Sequence, residues 1–274
     1  MPAKGSSRVR NVIDLHSHIL AGLDDGPGTW EESLELARRA VSMGVTAMAA
    51  TPHVREDYPT TADVMERGGA EIRARLEEAD IPLLVLPGGE IAVEELDRRS
   101  PDELRRFGLG GNPAYLLVET PYHGLPLDLE DRLFRLRALG ITPVLAHPER
   151  NSDLRDDRAL LGRIVSAGAL LQVTAESLTG GAGSRTRDAA HRLVGSGLAQ
   201  CVASDSHGPQ IRRAGLESVS AELGDPALAE WLTREVPEAI VSGTPLPDRP
   251  RTRRSWLSLR RSLRSRSASR DRLV

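Results

Sequence analysis

Pro143-Val144-Leu145-Ala146-His147-Pro148-Glu149-Arg150 sets an apolar run directly ahead of a histidine, an acid and an arginine. An apolar run without polar alternation predicts a strand buried on both faces, as in a parallel sheet covered by helices. In such sheets the functional groups collect at the carboxyl ends of the strands, where the chain leaves the core. His147 occupies that position here.

The same pattern recurs along the chain. Candidate strands are 12–15, 45–50, 83–86, 115–119, 143–146, 169–174 and 199–203. Helical patterns lie between them near 30–43, 61–79, 94–106, 128–139, 157–167 and 185–196. The first helix carries a start signal in Thr29 and Glu32 and a stop in Gly44. Strands alternating with helices predict one α/β domain with a parallel, barrel-like sheet. A doubly wound sheet is the competing topology.

Six of the seven strand ends carry a histidine or an acid: His16 and His18, His53, Glu90, Glu119, His147, and Asp205 with His207. Asp25, in the loop Leu23-Asp24-Asp25-Gly26, joins them. Each residue alone is better explained as a capped or hydrogen-bonded group. Their joint placement at one end of a barrel points to divalent metal ions, since imidazole and carboxylate suit Mn, Fe or Zn and carboxylates bridge ions. Five histidines and four carboxylates exceed the needs of one ion and suit two or three. Three divalent ions would outweigh the carboxylates and attract an anion such as a phosphate ester. Arg150 is placed to clamp phosphate through two N–H groups, and Arg212 is a second candidate.

Composition limits the alternatives. Hydrophobic residues make up 39% and charged residues 27%, as in a globular protein. No apolar run is long enough to span a membrane, and 1–11 lacks the apolar stretch of a signal peptide. The single cysteine, Cys201, fits a reducing compartment, so a cytoplasmic location is expected. Aromatics at 3% argue against stacking platforms for nucleic acid. From Asp248 onward ten arginines face two aspartates, a formal +8 that leaves −11 for 1–247. The domain reading is an N-terminal extension over 1–11, a barrel over 12–247 and an Arg/Ser-rich tail over 248–274. In that tail Trp256, Leu257, Leu259 and Leu263 interleave with Arg253, Arg254, Arg260, Arg261 and Arg264. The segment is read either as a disordered tail or as a basic amphipathic helix resting on anionic lipid.

At these motifs the chain resembles the polymerase and histidinol phosphatase (PHP) superfamily. More narrowly it resembles the bacterial PHP-type protein-tyrosine phosphatases of capsule and exopolysaccharide clusters. The matching stretches are Ile13-Asp14-Leu15-His16-Ser17-His18, Asp24-Asp25-Gly26, Thr51-Pro52-His53, Gly89-Glu90-Ile91, His147-Pro148-Glu149-Arg150-Asn151 and Ser204-Asp205-Ser206-His207. The resemblance implies a distorted (βα)7 TIM-like barrel with a trinuclear site. One ion would take His16, His18, Glu90 and Asp205. A second would take Glu90, Glu119 and His147, and a third Asp25, His53 and His207. Manganese is the expected metal, with iron or zinc as alternatives. Arg150 and Arg212 would bind phosphate, and Asp205 or His207 would protonate the leaving oxygen. The implied partner is a phosphotyrosine protein, a membrane-associated tyrosine kinase of polysaccharide export, which would bring the enzyme to the inner membrane surface. An oligomer is compatible with the sequence. Competing readings are a PHP phosphoesterase acting on histidinol phosphate, a nucleotide or a nucleic-acid end, or an inactive metal-binding scaffold. The chain departs from the resemblance at Glu176, where a small residue is expected, and in the tail beyond 248.

A cysteine-based phosphatase is contradicted by the sequence: the only thiol lies in a predicted buried strand, and six residues on stands His207 rather than an arginine. Cys201→Ser is therefore expected to leave phosphatase activity nearly intact and His147→Ala to abolish it; the reverse pattern in a phosphate-release assay would refute metal chemistry. If the tail rests on lipid, the full chain floats with anionic vesicles and a chain ending at residue 247 does not.

Overall fold

In this computed structural model residues 11–208 and 215–251 are described. The strands are β1 (Val12–Ser17), β2 (Val45–Ala50), β3 (His53–Arg55), β4 (Tyr58–Pro59), β5 (Leu84–Leu86), β6 (Glu90–Ala92), β7 (Tyr115–Glu119), β8 (Thr142–Ala146), β9 (Leu170–Thr174) and β10 (Cys201–Ala203). The helices are α1 (Trp30–Ser42), α2 (Ala62–Glu78), α3 (Pro101–Arg106), α4 (Leu129–Ala138), α5 (Ser152–Asp156), α6 (Arg158–Ser166), α7 (Ala175–Thr179), α8 (Ser184–Ser196), α9 (Val219–Leu223), α10 (Pro226–Glu230) and α11 (Val236–Ser242).

Two ladders make one barrel. β1, β2 and β5 pair in parallel, and β10-β9-β8-β7-β6-β3-β4 form the second sheet, parallel except for the β3–β4 hairpin. β2 and β3 are halves of one strand broken at Thr51-Pro52. β5 and β6 are halves of another, broken at Pro87-Gly88-Gly89. Proline supplies no ladder N–H, so each break shifts the pairing. Thr51 N–H donates to Ser17 O at 2.8 Å and Glu90 N–H to Pro52 O at 3.1 Å, and these bonds carry the sheet across the breaks. The seam between β10 and β1 closes with hydrogen bonds from Asp205 N–H to His16 O and from His18 N–H to Ser206 O, each 2.8 Å. The buried Asp14 carboxylate accepts Ser204 N–H at 2.9 Å and completes the seam. Closure excludes the doubly wound alternative and gives a distorted (βα)7 barrel.

The core is aliphatic. Leu116, Leu117, Val118, Val144, Leu145, Leu171 and Val173 are fully buried in the barrel wall, and Phe107 is among the largest buried side chains. Gly89 lies under that ring: a Cβ there would come within 2.6 Å of Phe107 Cδ1, so glycine lets the strand pass just before Glu90. α1 is capped by Thr29, whose hydroxyl accepts Glu32 N–H at 3.3 Å, and it buries Leu36, Ala37 and Ala40.

Three expectations need correction. The helix expected over 94–106 is a 3₁₀ segment, Val93–Arg98, followed by α3, with Arg99 extended between them. Pro101 forces this: the residue before a proline avoids helical geometry, and Ser100 instead caps α3 through a bond from Glu103 N–H. His16 lies inside β1 rather than after it, because pairing to β2 continues to Ser17. α5, α7 and the helices after β10 were not anticipated; α5, α7 and α9 are too short for a helical period to register, and α10 and α11 are joined through a π-helical turn, Trp231–Glu235, that shifts the period between them.

Among the described residues no helix is long and apolar enough to cross a membrane. Trp231 Nε1 donates to Pro247 O at 3.0 Å and Arg249 Nη2 to Val194 O at 2.7 Å, so the chain stays packed on the barrel as far as 249. Arg212 and residues 252–274, including the Trp256–Arg264 pattern, lie outside the described residues.

Candidate metal centre

With β2–β3 and β5–β6 taken as composite strands, every parallel strand of the barrel except β9 delivers at least one of the nine candidate side chains to the same end. His16 lies in β1 and His18 just beyond it; His53 opens β3 and Glu90 opens β6; Glu119 closes β7; His147 follows β8; Asp205 and His207 follow β10. His147 (φ 32°) and Asp205 (φ 54°) occupy left-handed backbone. That region is uncommon for residues with a Cβ and lets the chain turn sharply where the strand ends.

The nine converge. Four overlapping groups each bring their ligand atoms within 4.8 Å of one another: His18, Asp25, His53 and His207; His16, His147 and Asp205; His16, His18 and Glu90; His53, Glu90 and Glu119. Glu90, 0% exposed, is the hub. Its Oε2 lies 3.3 Å from His16 Nε2, 3.4 Å from His18 Nε2 and 3.0 Å from His53 Nδ1, while Oε1 is 2.9 Å from His147 Nε2. Asp205 Oδ1 faces the Nε2 atoms of His16 and His18 at 3.2 and 3.3 Å. Asp25 Oδ1 is 3.3 Å from His207 Nε2 and 3.5 Å from His53 Nε2. Glu119 stands 3.4 Å from His53 and 4.0 Å from His147. The other two histidines lie elsewhere: His123 meets Ser152 and His191 meets Leu178 O.

Tautomers test whether these residues fit cations. His16 Nδ1 lies 2.9 Å from Gln172 Oε1, His18 Nδ1 2.7 Å from Asp24 Oδ2, and His207 Nδ1 2.9 Å from Asp205 O. Oxygens of these kinds only accept, so each Nδ1 carries the hydrogen and each Nε2 keeps a lone pair. Yet His16 Nε2 and His18 Nε2 are 3.3 Å apart. Glu90 Oε2 and His53 Nδ1, both buried, have no hydrogen-bond partner. Facing lone pairs around an unsatisfied carboxylate oxygen are what bound cations require. The set suits two or three ions.

Without cations, protons take their place. Burial opposes a charge on His18, but hydrogen bonds with Asp205, Asp24 and Glu90 raise its pKa well above the ordinary imidazole value. Burial would likewise raise Glu90, but the charge on His16 and hydrogen bonds from His147, His16 and His18 hold it well below the usual carboxylate range. Glu119 is pushed up to about 9 by burial and by neighbouring Glu90. Protons and metal ions compete for the same lone pairs in a site of this kind.

Several supporting residues escaped the sequence reading. Asp24 holds His18 Nδ1 and also accepts His53 N–H at 2.9 Å and Gly26 N–H at 3.0 Å. A Cβ at Gly26 would come within 2.2 Å of His18 O, so only glycine fits the turn. The adjacent Asp24-Asp25 pair before glycine was visible, but the division of labour between the two acids was not. Gln172 comes from β9, the strand without a candidate ligand. Arg55, two residues after His53 on β3, lies 3.5 Å from Glu119 through Nη1 and 2.8 Å from Asp57 through Nε. The period of two along a strand was its available signal.

Arg150 sits at the rim, with Nη1 2.5 Å from Asp205 Oδ2 and Nη2 3.3 Å from Thr174 Oγ1 and 3.4 Å from Glu176 Oε2. The unexpected Glu176 is therefore a partner of Arg150. Buried Glu149 accepts Thr174 N–H at 2.9 Å. Asn151 caps α5 and donates to Pro121 O and Gly124 O. Cys201 is buried in β10, and burial pushes its thiol up to about 12, far from a nucleophilic thiolate.

Comparison with known proteins gives the same picture. Residues 12–235 match the family described as "Capsular polysaccharide synthesis, CpsB/CapC". Tyrosine-protein phosphatase YwqE of Bacillus subtilis (strain 168) is 38% identical over 204 residues, covering 73% of this chain and 79% of the relative. Tyrosine-protein phosphatase CpsB of Streptococcus agalactiae serotype III (strain NEM316) is 29% identical over 207 residues, 73% of this chain and 85% of the relative. A solved structure from work on B. subtilis YwqE and Streptococcus pneumoniae CpsB, described as "unique metal-dependent tyrosine phosphatases", superposes with a TM-score of 0.77 at 34% identity. It covers 88% of this chain and 100% of that one. A β-aspartyl dipeptidase of Fervidobacterium islandicum AW-1 shares the fold alone, at a TM-score of 0.55 and 17% identity over 84% of this chain and 72% of its own.

Asp24 orients His18 without being one of the nine. Asp24→Asn is expected to weaken metal binding by about 10- to 100-fold, as loss of a carboxylate behind a histidine ligand does. Competition with a chelating dye reads the affinity, and far-ultraviolet circular dichroism should remain that of the native protein.

Proposed function

The chain belongs to the CpsB/CapC family of capsular polysaccharide synthesis, and from that membership and the convergent mouth of its barrel we propose that it is a metal-dependent protein-tyrosine phosphatase. The observation that carries the proposal is the cluster around Glu90: a buried carboxylate oxygen faced by three imidazole nitrogens within 3.4 Å. His16, His18, Asp25, His53, Glu90, Glu119, His147, Asp205 and His207 would hold two or three divalent ions, manganese before iron or zinc.

When bound, the ions supply a water that is nucleophilic near neutral pH and positive charge opposite the transferred phosphoryl group. The protein's own residues supply orientation. Arg150, nearly buried and already aligned by Asp205, Thr174 and Glu176, presents its guanidinium at the rim and holds the non-bridging phosphoryl oxygens. Arg212 is proposed as its partner. With its Nδ1–H given to Asp205 O and its Nε2 turned to the cluster, His207 would serve as a ligand, as would Asp205, and the departing phenol oxygen would take its proton from water. A phenolate leaves readily, so this step demands little. Catalysis is then mostly positioning and charge stabilisation, with no phosphoenzyme on Cys201.

The proposed substrate is a phosphotyrosine protein, specifically a tyrosine kinase of the polysaccharide assembly machinery. The basic segment beyond 248 would bring the enzyme to the anionic membrane surface where such a kinase sits.

Phosphate release from a phosphotyrosine peptide, with and without EDTA, tests the proposal. The purified protein is expected to turn over the peptide, to lose at least about 100-fold in rate with chelator and to recover on adding Mn²⁺. Undiminished turnover in chelator, or none with any of Mn²⁺, Fe²⁺ and Zn²⁺, would exclude it.

A further inference from the structure

The chain has three Trp, three Tyr and two Phe, so the placement of each ring is informative. Two of the three tyrosines stack on histidines of the metal centre. Tyr58 lies parallel to His53, with ring centroids 5.7 Å apart, and is covered by Arg55, whose guanidinium carbon is 5.1 Å from the ring centroid. Tyr122 lies nearly parallel to His147, at 6.3 Å and 19°, and 51% of the residue remains exposed. One side of Tyr122 thus faces His147 while about half of the residue is open to solvent.

Its position is constrained. Tyr122 lies in the loop that leaves β7 directly after Glu119. That loop is tied to the segment carrying Arg150: Asn151 Nδ2 donates to Pro121 O and Gly124 O on either side of Tyr122, and Ser152 N–H donates to Tyr122 O at 3.0 Å. Arg150, Asn151 and Ser152 are consecutive, so the Tyr122 loop is tied to the residues that directly follow Arg150.

A large aromatic side chain left half exposed against His147, on a loop tied to the segment of Arg150, is suited to a second ring. We propose that Tyr122 selects aromatic phosphate esters: the ring of the substrate lies against the open part of Tyr122 while Arg150 holds the phosphoryl oxygens. Offset stacking of this kind adds to area burial, and it rewards a phenyl ester over an alkyl ester sharing the same head group. The assignment rests on the phosphatase reading of the site, from which it takes the phosphoryl position, and it makes Tyr122 a specificity residue rather than a ligand.

The test separates ring from head group. Full-length protein loaded with Mn²⁺ is titrated calorimetrically with phenylphosphonate and with methylphosphonate, which share the anion and differ in the ring. Native protein is expected to prefer phenylphosphonate. Tyr122→Ala should weaken phenylphosphonate by about tenfold and methylphosphonate by less than about twofold, and Tyr122→Phe should behave as native. Bound manganese, measured by plasma mass spectrometry, should be the same in all three proteins. Equal losses for both ligands, no loss for either, failure of Tyr122→Phe to retain the preference, or native protein that binds both alike or neither would each overturn the proposal. Turnover of p-nitrophenyl phosphate by the native protein is measured alongside. Ring-dependent binding without turnover would sink the phosphatase reading and leave the role of Tyr122 standing.

Discussion

Negative charge gathered out of water at one end of the barrel is the constraint on which the rest of this molecule depends. Glu90 and Asp205 are buried within 3.5 Å of imidazole nitrogens, and Glu119 and Asp25 close the cluster. Isolated carboxylates so placed would be strongly destabilising. In the metal-free chain the histidines hold Glu90 ionised, while burial and the charge of Glu90 push Glu119 up, so these neighbouring carboxyls move in opposite directions from their ordinary pKa. Divalent cations answer the same demand with more charge, and leave a surplus for an anion.

Much of the surrounding architecture fixes those groups in place. The barrel seam is closed partly by side chains and loop backbone around Asp14, His16, Ser204 and Ser206, so barrel closure and the centre share residues. The proline and glycine breaks in the second and third composite strands fall immediately before His53 and Glu90, where the chain bends from wall to mouth. Gln172, Asp24 and the Asp205 carbonyl each hold one imidazole by Nδ1 and aim Nε2 at the cluster. Positioning of this kind costs no reorganisation when a substrate arrives.

The rim is built with the same economy of parts. His147-Pro148-Glu149-Arg150-Asn151-Ser152 supplies a candidate ligand, a buried carboxylate that anchors β9, a guanidinium, and the bonds that hold the Tyr122 loop. Glu176, the residue that departs from the family resemblance, shares Arg150 with Asp205 and Thr174. The guanidinium of Arg150 is thereby oriented by acceptors from three residues.

Periodicity and strand ends carried the strand positions, the parallel sheet and the nine residues now found together, because an apolar run buried on both faces must release its chain at a defined end. Strand interiors are set by local composition, and so they were legible. Pro101 was legible too, but the helical pattern on either side of it obscured the break it imposes. The choice of barrel over doubly wound sheet was not local: it was made by hydrogen bonds between residues about 190 positions apart, Asp14 and Ser204 among them. The roles of Asp24, Gln172, Arg55 and Tyr122 likewise depend on partners from other strands. Sequence by itself determined which residues could bear chemistry and at which end of the sheet they would emerge. Only the tertiary structure decided which nitrogen of each imidazole faces inward, which acid supports and which could ligate, and that the ring of Tyr122 stands against His147. Those are facts of distance, and distance across a barrel is set by closure rather than by spacing along the chain.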